Sequence, residues 1–299
     1  MRIAIAGSSG LIGQALVDNL SQDGHVPVRL VRGDTRRTKA SIPWDPAEGR
    51  IESDALEDID AVVCLSGENI AGRWSKRKKD AILQSRVDTA SLLANTIASM
   101  SKPPSVFICA SAIGYYGDRG AEQVDETSPR GEGFLADVCE AWEEATQPAV
   151  SAGARTVILR LGVVLDPANG LLKQIAPIFK AGLGGTIGSG RQYMSWIALA
   201  DVVQIVRFIV ESKTLSGPIN CTAPNPVTNK AFTKALGRVL NRPTILPVPA
   251  PAIKLALGEA GNELALASTR AIPSRLISGG YSFLFPDIQP ALEAMFDRG

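Results

Sequence analysis

Arg2-Ile3-Ala4-Ile5-Ala6-Gly7-Ser8-Ser9-Gly10-Leu11-Ile12-Gly13 decides the fold. Residues 3–6 are a continuous apolar run, the pattern of a strand buried on both faces. Residues 11–22 have the length and spacing of an amphipathic helix. The glycines fall where the strand turns directly into the helix. Gly7 permits the tight turn, Gly10 lets a ligand approach bare backbone, and Gly13 lets helix and strand pack together. The amides of Ser9, Leu11 and Ile12, with the helix N-terminus, then face a pyrophosphate.

A second strand, 26–31, follows at the distance a dinucleotide-binding unit requires. A cofactor with a free ribose 2′-OH meets an Asp or Glu at the end of that strand. Here the strand ends Val31-Arg32-Gly33, with Arg29 inside it and Arg36 and Arg37 beyond. A guanidinium forks onto a phosphate and accepts nothing from a hydroxyl. Arg32 therefore points to NADP(H) rather than NAD, and Asp34 is the residue that could reverse this reading.

Further out, strand-like runs at 61–65, 106–110 and 156–161 alternate with helix-like segments at 76–100 and 135–152, the former capped by Ser75. The expected fold class is α/β: a Rossmann-type doubly wound parallel sheet with a smaller, irregular C-terminal substrate lobe. The change of character falls near residue 165. Residues 1–165 would form the NADP-binding domain, with 197–220 returning to it, and 166–299 the substrate lobe. In that lobe, 184–191 reads as a flexible glycine loop whose amides, with Arg191, suit an anionic group. Asp201 reads as the cap of the helix that follows it.

Composition removes other classes. Lys plus Arg number 31 and Asp plus Glu 30, a net charge of +1, which argues against a polyanion partner. Lys76-Arg77-Lys78-Lys79 is the one concentrated basic patch and lacks interleaved aromatics, so it reads as a solvated surface and no nucleic acid is expected. A single histidine, His25, and four scattered cysteines leave no metal site, and a Ser-His-Asp hydrolase is disfavoured. No apolar run approaches the roughly 20 residues of a membrane span, and no charged-then-apolar leader opens the sequence. A soluble cytoplasmic protein is the expectation, with oligomeric state open.

Three further blocks carry a resemblance: Asp60 to Gly67, Ala110-Ser111-Ala112-Ile113-Gly114-Tyr115-Tyr116-Gly117, and Ser195-Trp196-Ile197 with the tail around Gly280-Tyr281. Through them the chain resembles the extended, atypical branch of the short-chain dehydrogenase/reductase superfamily, the nucleoside-diphosphate-sugar epimerases. The resemblance implies that Leu65, Ser66 and Gly67 lie along the cofactor, with Arg86 reaching it from the side. It also implies that Ala110 and Ser111 sit near the nicotinamide, flanked by Val163 and Val164.

That superfamily moves its proton with a Tyr-x-x-x-Lys pair, and the matching positions here are Phe134 and Val138, neither of which can do so. Ser111, Tyr115 and Tyr116 are the remaining candidates for catalysis. The reading is an NADP(H)-dependent oxidoreductase or epimerase acting on a sugar nucleotide or a related hydroxyl or carbonyl compound. The alternative is a protein that binds NADP(H) without turnover, as a sensor or assembly partner.

Overall fold

The computed structural model describes residues 1–33, 36–52 and 54–297. Its central sheet has eight strands: β1 (Arg2–Ala6), β2 (Val26–Arg32), β3 (Ser41–Asp45), β4 (Arg50–Ile51), β5 (Ala61–Cys64), β6 (Val106–Ala112), β7 (Thr156–Leu161) and β8 (Gly217–Cys221). Their spatial order is β8-β7-β6-β5-β1-β2-β3-β4. Every neighbouring pair is parallel except β3 with β4. The chain proceeds one way from β1 to β2 and later resumes at β5 on the other side of β1. This reversal opens a crevice beyond the carboxyl ends of β1 and β5, where ligands bind in such sheets.

Alternation along each strand sends side chains to opposite faces. Ile3, Ile5, Val63 and Ile108 pack under α1 (Leu11–Gln22) and a helix at Leu199–Glu211. Ala4, Ala6, Val62 and Phe107 pack under α2 (Lys76–Ser99) and α3 (Phe134–Glu144). The α2 cap is the expected one, with the Ser75 hydroxyl accepting from the Lys78 amide at 3.2 Å. All four cysteines are buried free thiols.

Three local expectations change. The helix expected over 135–152 is two helices, Phe134–Glu144 and Gln147–Ser151, because Pro148 has no N–H to continue the ladder. Strands β3 and β8 were hidden by Pro43 and Gly217-Pro218. Proline is tolerated where a strand lacks a neighbour; β4 pairs only with Trp44 and Asp45, and β8 is the sheet's outer edge.

Asp201, expected as a cap, is not one: Ala198 holds that position. The Asp201 carboxylate is fully buried and accepts from the Tyr281 hydroxyl and the Leu284 and Phe285 amides at 3.0, 2.8 and 3.0 Å. It pins the C-terminal tail to the helix at Leu199–Glu211.

A second core gathers Leu165, Leu172 and Phe179, from before the helix at Leu199–Glu211 and β8, with Phe232, Leu236 and Leu292, from after them; that helix and β8 themselves return to the main sheet. No helix among the described residues is long and apolar enough to cross a membrane.

Candidate functional site

The glycine turn occupies the mouth of the crevice. Gly7 has φ +77°, and a Cβ there would lie 2.8 Å from the Leu65 carbonyl carbon. A Cβ on Gly13 would lie 2.2 Å from the Gly7 oxygen, whereas one on Gly10 would clear it at 3.4 Å. Gly7 and Gly13 are thus required by the protein's own packing, and Gly10 is free to be glycine for a ligand's sake. Gly10 is the N-cap of α1 and supplies no side-chain bond; the ladder begins with the Gln14 amide on Gly10 at 2.8 Å. The Leu11, Ile12 and Gly13 amides therefore have no acceptor among the described residues. Ser9 is exposed beside them.

Arg32 stands exposed at the end of β2, and Asp34 lies outside the described residues. Arg29, inside β2, is tied to the turn: its Nη1 donates to the Ser8 carbonyl at 3.0 Å. Leu65 continues β5 by donating to the Ala6 carbonyl at 2.9 Å, and the Leu65 carbonyl and Ser66 amide lie against Gly7.

Gly67 faces Arg86, whose Cζ a Cβ would meet at 3.1 Å. Arg86 Nη1 donates to the Glu68 and Ile82 carbonyls at 3.0 and 2.9 Å, and its guanidinium lies 5.0 Å from the Trp142 ring centroid. Burial draws Arg86 below the usual guanidinium range. Its Nε and Nη2 have no acceptor among the described residues, so an anionic oxygen would relieve this desolvation. Lys78 holds the Glu68 carboxyl below its usual range, with smaller contributions from Arg86 and Arg32. Both arginines are thus within electrostatic reach of the same rim.

Deeper, at the ends of β6 and β7, the sequence-predicted proton carriers separate. Ser111 is buried and donates to Glu143 Oε1 at 2.7 Å. Arg160, buried on β7, grips the same carboxylate with Nε and Nη2 at 2.9 and 2.8 Å. Its Nη1 donates to the Tyr116 hydroxyl at 3.0 Å, and that hydroxyl donates to Asn220 Oδ1 at 2.8 Å. Burial works against the charge of Arg160, but Glu143 outweighs it and holds the guanidinium above its ordinary range. Burial pushes the Tyr116 phenol up to about 12.

Ser111 and Tyr116 are thus parts of a buried scaffold, and the expectation that either exchanges protons with a substrate does not fit this geometry. Tyr115 differs. Its ring is half-buried with the Arg160 Cζ 3.5 Å from its centroid, and its hydroxyl has no partner among the described residues. Sequence reasoning missed Glu143, Arg160 and Asn220. One signal was available: an arginine within the apolar run Thr156-Val157-Ile158-Leu159-Arg160-Leu161 needs a buried acidic partner.

Phe134 and Val138 do sit on the helix after β6. Val138 is buried, and Phe134 packs edge-on against Trp74 at 5.1 Å with Lys79 Nζ 4.4 Å from its centroid. Ala110 is buried at the end of β6. Val163 and Val164 are half-buried after Gly162, with the Val163 amide bonded to Ser195 O at 2.9 Å.

The segment 184–191 is not an open cradle. The Ile187 amide donates to Asn229 Oδ1 at 2.8 Å, the Gly188 amide to Val248 O at 2.8 Å and the Gly190 amide to Ile187 O at 3.0 Å. A Cβ on Gly185 would lie 1.4 Å from Leu246 O, so the glycines there serve close packing. Trp196 is wholly buried in the second core. The basic patch is largely neutralised: Lys76 pairs with Asp80, Lys78 with Glu68 and Lys79 with Glu259. Among the described residues no group of three or more His, Cys, Asp or Glu could hold a metal ion.

Comparisons with known proteins agree with this architecture. A domain of unknown function (DUF1731) matches residues 248–295. Epimerase family protein Mb2239 of Mycobacterium bovis is 46% identical over 291 residues, spanning 97% of this chain and 96% of its own. The crystal structure of human epimerase family protein SDR39U1 (isoform 2) with NADPH superposes with a TM-score of 0.90 at 31% identity, covering 100% of both chains. A nucleoside-diphosphate sugar epimerase from Corynebacterium glutamicum gives a TM-score of 0.81 at 35% identity, over 99% of this chain and 58% of that one. The model of the NAD dependent epimerase/dehydratase family matches residues 3–221, and the chain belongs to that family.

Proposed function

We propose that this protein binds NADP(H) in the β1–β5 crevice and exchanges hydride with a hydroxyl or carbonyl group of a small substrate, a sugar nucleotide or a related compound. The observation that carries the reading is the turn itself: a Gly10 that the protein's packing does not demand, beside three first-turn amides without acceptors. Such a cradle fits a pyrophosphate. NADPH is the ligand in the human SDR39U1 structure, and Arg32 is the group here that would hold a 2′-phosphate.

When bound, the nicotinamide supplies the carbon that gives or takes hydride. The remaining work falls to the chain. Gly7 to Gly13 hold the diphosphate, and Leu65 to Gly67 with Arg86 line its path. Ala110, Val163 and Val164 form an apolar wall that excludes water. Ser111 acts through Glu143 on the scaffold. Tyr115, with its hydroxyl free, gives a proton to a substrate carbonyl oxygen or takes one from a hydroxyl.

Nicotinamide fluorescence titration tests the binding half: NADPH should bind, Arg32→Ala should weaken it about tenfold or more, and NADH should bind less tightly than NADPH. Equal affinities would remove the phosphate argument. Turnover on a panel of sugar nucleotides and small carbonyl compounds tests the chemical half, with Tyr115→Phe expected to abolish it.

A second reading is favoured by the resemblance, which puts Phe134 and Val138, on the helix after β6, at the positions of the family's proton-moving pair. It is NADP(H) binding without turnover, and it predicts tight NADPH binding with no activity on any member of that panel.

A further inference from the structure

The buried pair Arg160 and Glu143 is costly to keep. Taking two charges out of water is repaid only by good geometry, and well-packed apolar residues often serve stability as well or better. Here the guanidinium spends three nitrogens, Nε and Nη2 on Glu143 and Nη1 on Tyr116. Its Cζ lies over the Tyr115 ring, 3.5 Å from the centroid. The pair comes from two separate elements, β7 and α3, and Ser111 from a third, β6, also bonds Glu143. Tyr116 is locked on the far side by Asn220 of β8. Four elements therefore converge to fix one cation under one half-buried phenol.

We infer that Arg160, clamped by Glu143, is a positioning residue for Tyr115: it fixes the plane of the ring and offsets the negative charge the phenol carries once its proton has left. In that transfer the Tyr115 Oη–H bond breaks, a substrate O–H bond forms, and the electron pair stays on Oη against the guanidinium face. A cation on an aromatic face is attracted more strongly once water is excluded, and a guanidinium stacks flat where an ammonium cannot. Arg160 thus supplies from a neighbouring strand the cation that Val138 cannot. The substrate step rests on the hydride-exchange reading above, whereas the placement of Arg160 under Tyr115 does not.

The test is therefore run on the full-length protein without cofactor or substrate. N-acetylimidazole acylates tyrosine oxygens, and peptide mapping by mass spectrometry gives the rate at each of Tyr115, Tyr116, Tyr193 and Tyr281. Arg160→Met alone would strand Glu143 without its counter-charge, so Arg160→Met with Glu143→Gln removes the pair together.

In that double variant Tyr115 should label about fivefold to tenfold more slowly, with Tyr193 unchanged as the control for fold and reagent. Arg160→Lys, which keeps the charge but not the flat fork, should recover part of the rate. An unchanged or faster Tyr115 rate in the double variant overturns the proposal, as does equal labelling of the lysine and double variants. A separate arm adds NADPH to the wild-type protein. Failure to shield Tyr115 there counts against the cofactor reading and leaves the Arg160 result standing.

Discussion

Glu263 closes the amino end of α3 from the C-terminal part of the chain: its Oε1 and Oε2 accept the Phe134 and Leu135 amides at 3.0 and 2.8 Å. The helix supplies no cap of its own, because its N-cap is Gly133 at φ +109°. The carboxylate satisfies two otherwise orphaned donors and opposes the positive end of the helix dipole. Together with the Lys79–Glu259 pair at 2.8 Å, it ties the segment around 259–263 to α2 and α3.

Glu263→Ala should therefore lower stability by about 1–2 kcal/mol, allowing for partial exposure of the carboxylate. Glu263→Gln, which keeps one acceptor, should cost less. Thermal melting gives the loss, and hydrogen exchange at the Phe134 and Leu135 amides localises it. Unprotected amides in the wild-type protein would show that this cap does not form in solution.

The two glycines nearest α1 should respond differently to the same added methyl. Gly13→Ala forces a Cβ to 2.2 Å from a backbone oxygen, a clash that moves strand against helix and costs about 3 kcal/mol or more. Gly10→Ala meets its nearest atom at 3.4 Å and should fold normally. Its methyl nevertheless enters the space assigned to the diphosphate, so NADPH affinity should fall. Calorimetric melting with fluorescence titration separates the two. Undiminished NADPH binding by Gly10→Ala would move the diphosphate elsewhere.

Asp201→Asn tests the anchor of the tail. One carboxylate serves the Tyr281 hydroxyl and two amides in a fully buried setting. An amide can present only one oxygen, so one donor is left facing an NH2 group. A loss of about 2–3 kcal/mol is expected, with early proteolysis between residues 280 and 287. Equal melting temperatures would mean the tail is held by packing alone.

The central sheet was legible because strands buried on both faces read as plain apolar runs, and Gly7, Gly10 and Gly13 mark the turn by spacing alone. Strands β3 and β8 were not, because Pro43 and Pro218 are tolerated only through sheet positions that no local window contains. The scaffold around Tyr115 was illegible for a similar reason. Ser111, Glu143, Arg160 and Asn220 come from β6, α3, β7 and β8, and only the folded sheet brings them together. The glycines of 184–190 misled because a glycine required by a neighbouring carbonyl, that of Leu246, looks in sequence like one kept for a ligand.

Glu126 should make stability depend on pH in a predictable direction. Its Oε1 accepts the Asn220 and Arg275 amides at 3.0 and 3.3 Å, while Oε2 is buried with no partner. Burial raises its carboxyl above the ordinary value of 4.5 despite the lowering effect of those amides. The folded protein therefore holds this proton more tightly than the unfolded chain. The associated stability is complete below the unfolded value and is lost as pH rises through the folded one. Glu126→Gln keeps an oxygen for the two amides and carries no charge, so it should gain on the wild-type protein as pH climbs from about 4 to about 8. The difference between the two melting temperatures, followed across that range, gives the answer. A difference that stays flat, or moves the other way, would mean that Glu126 reaches water in solution and that its second oxygen is satisfied there.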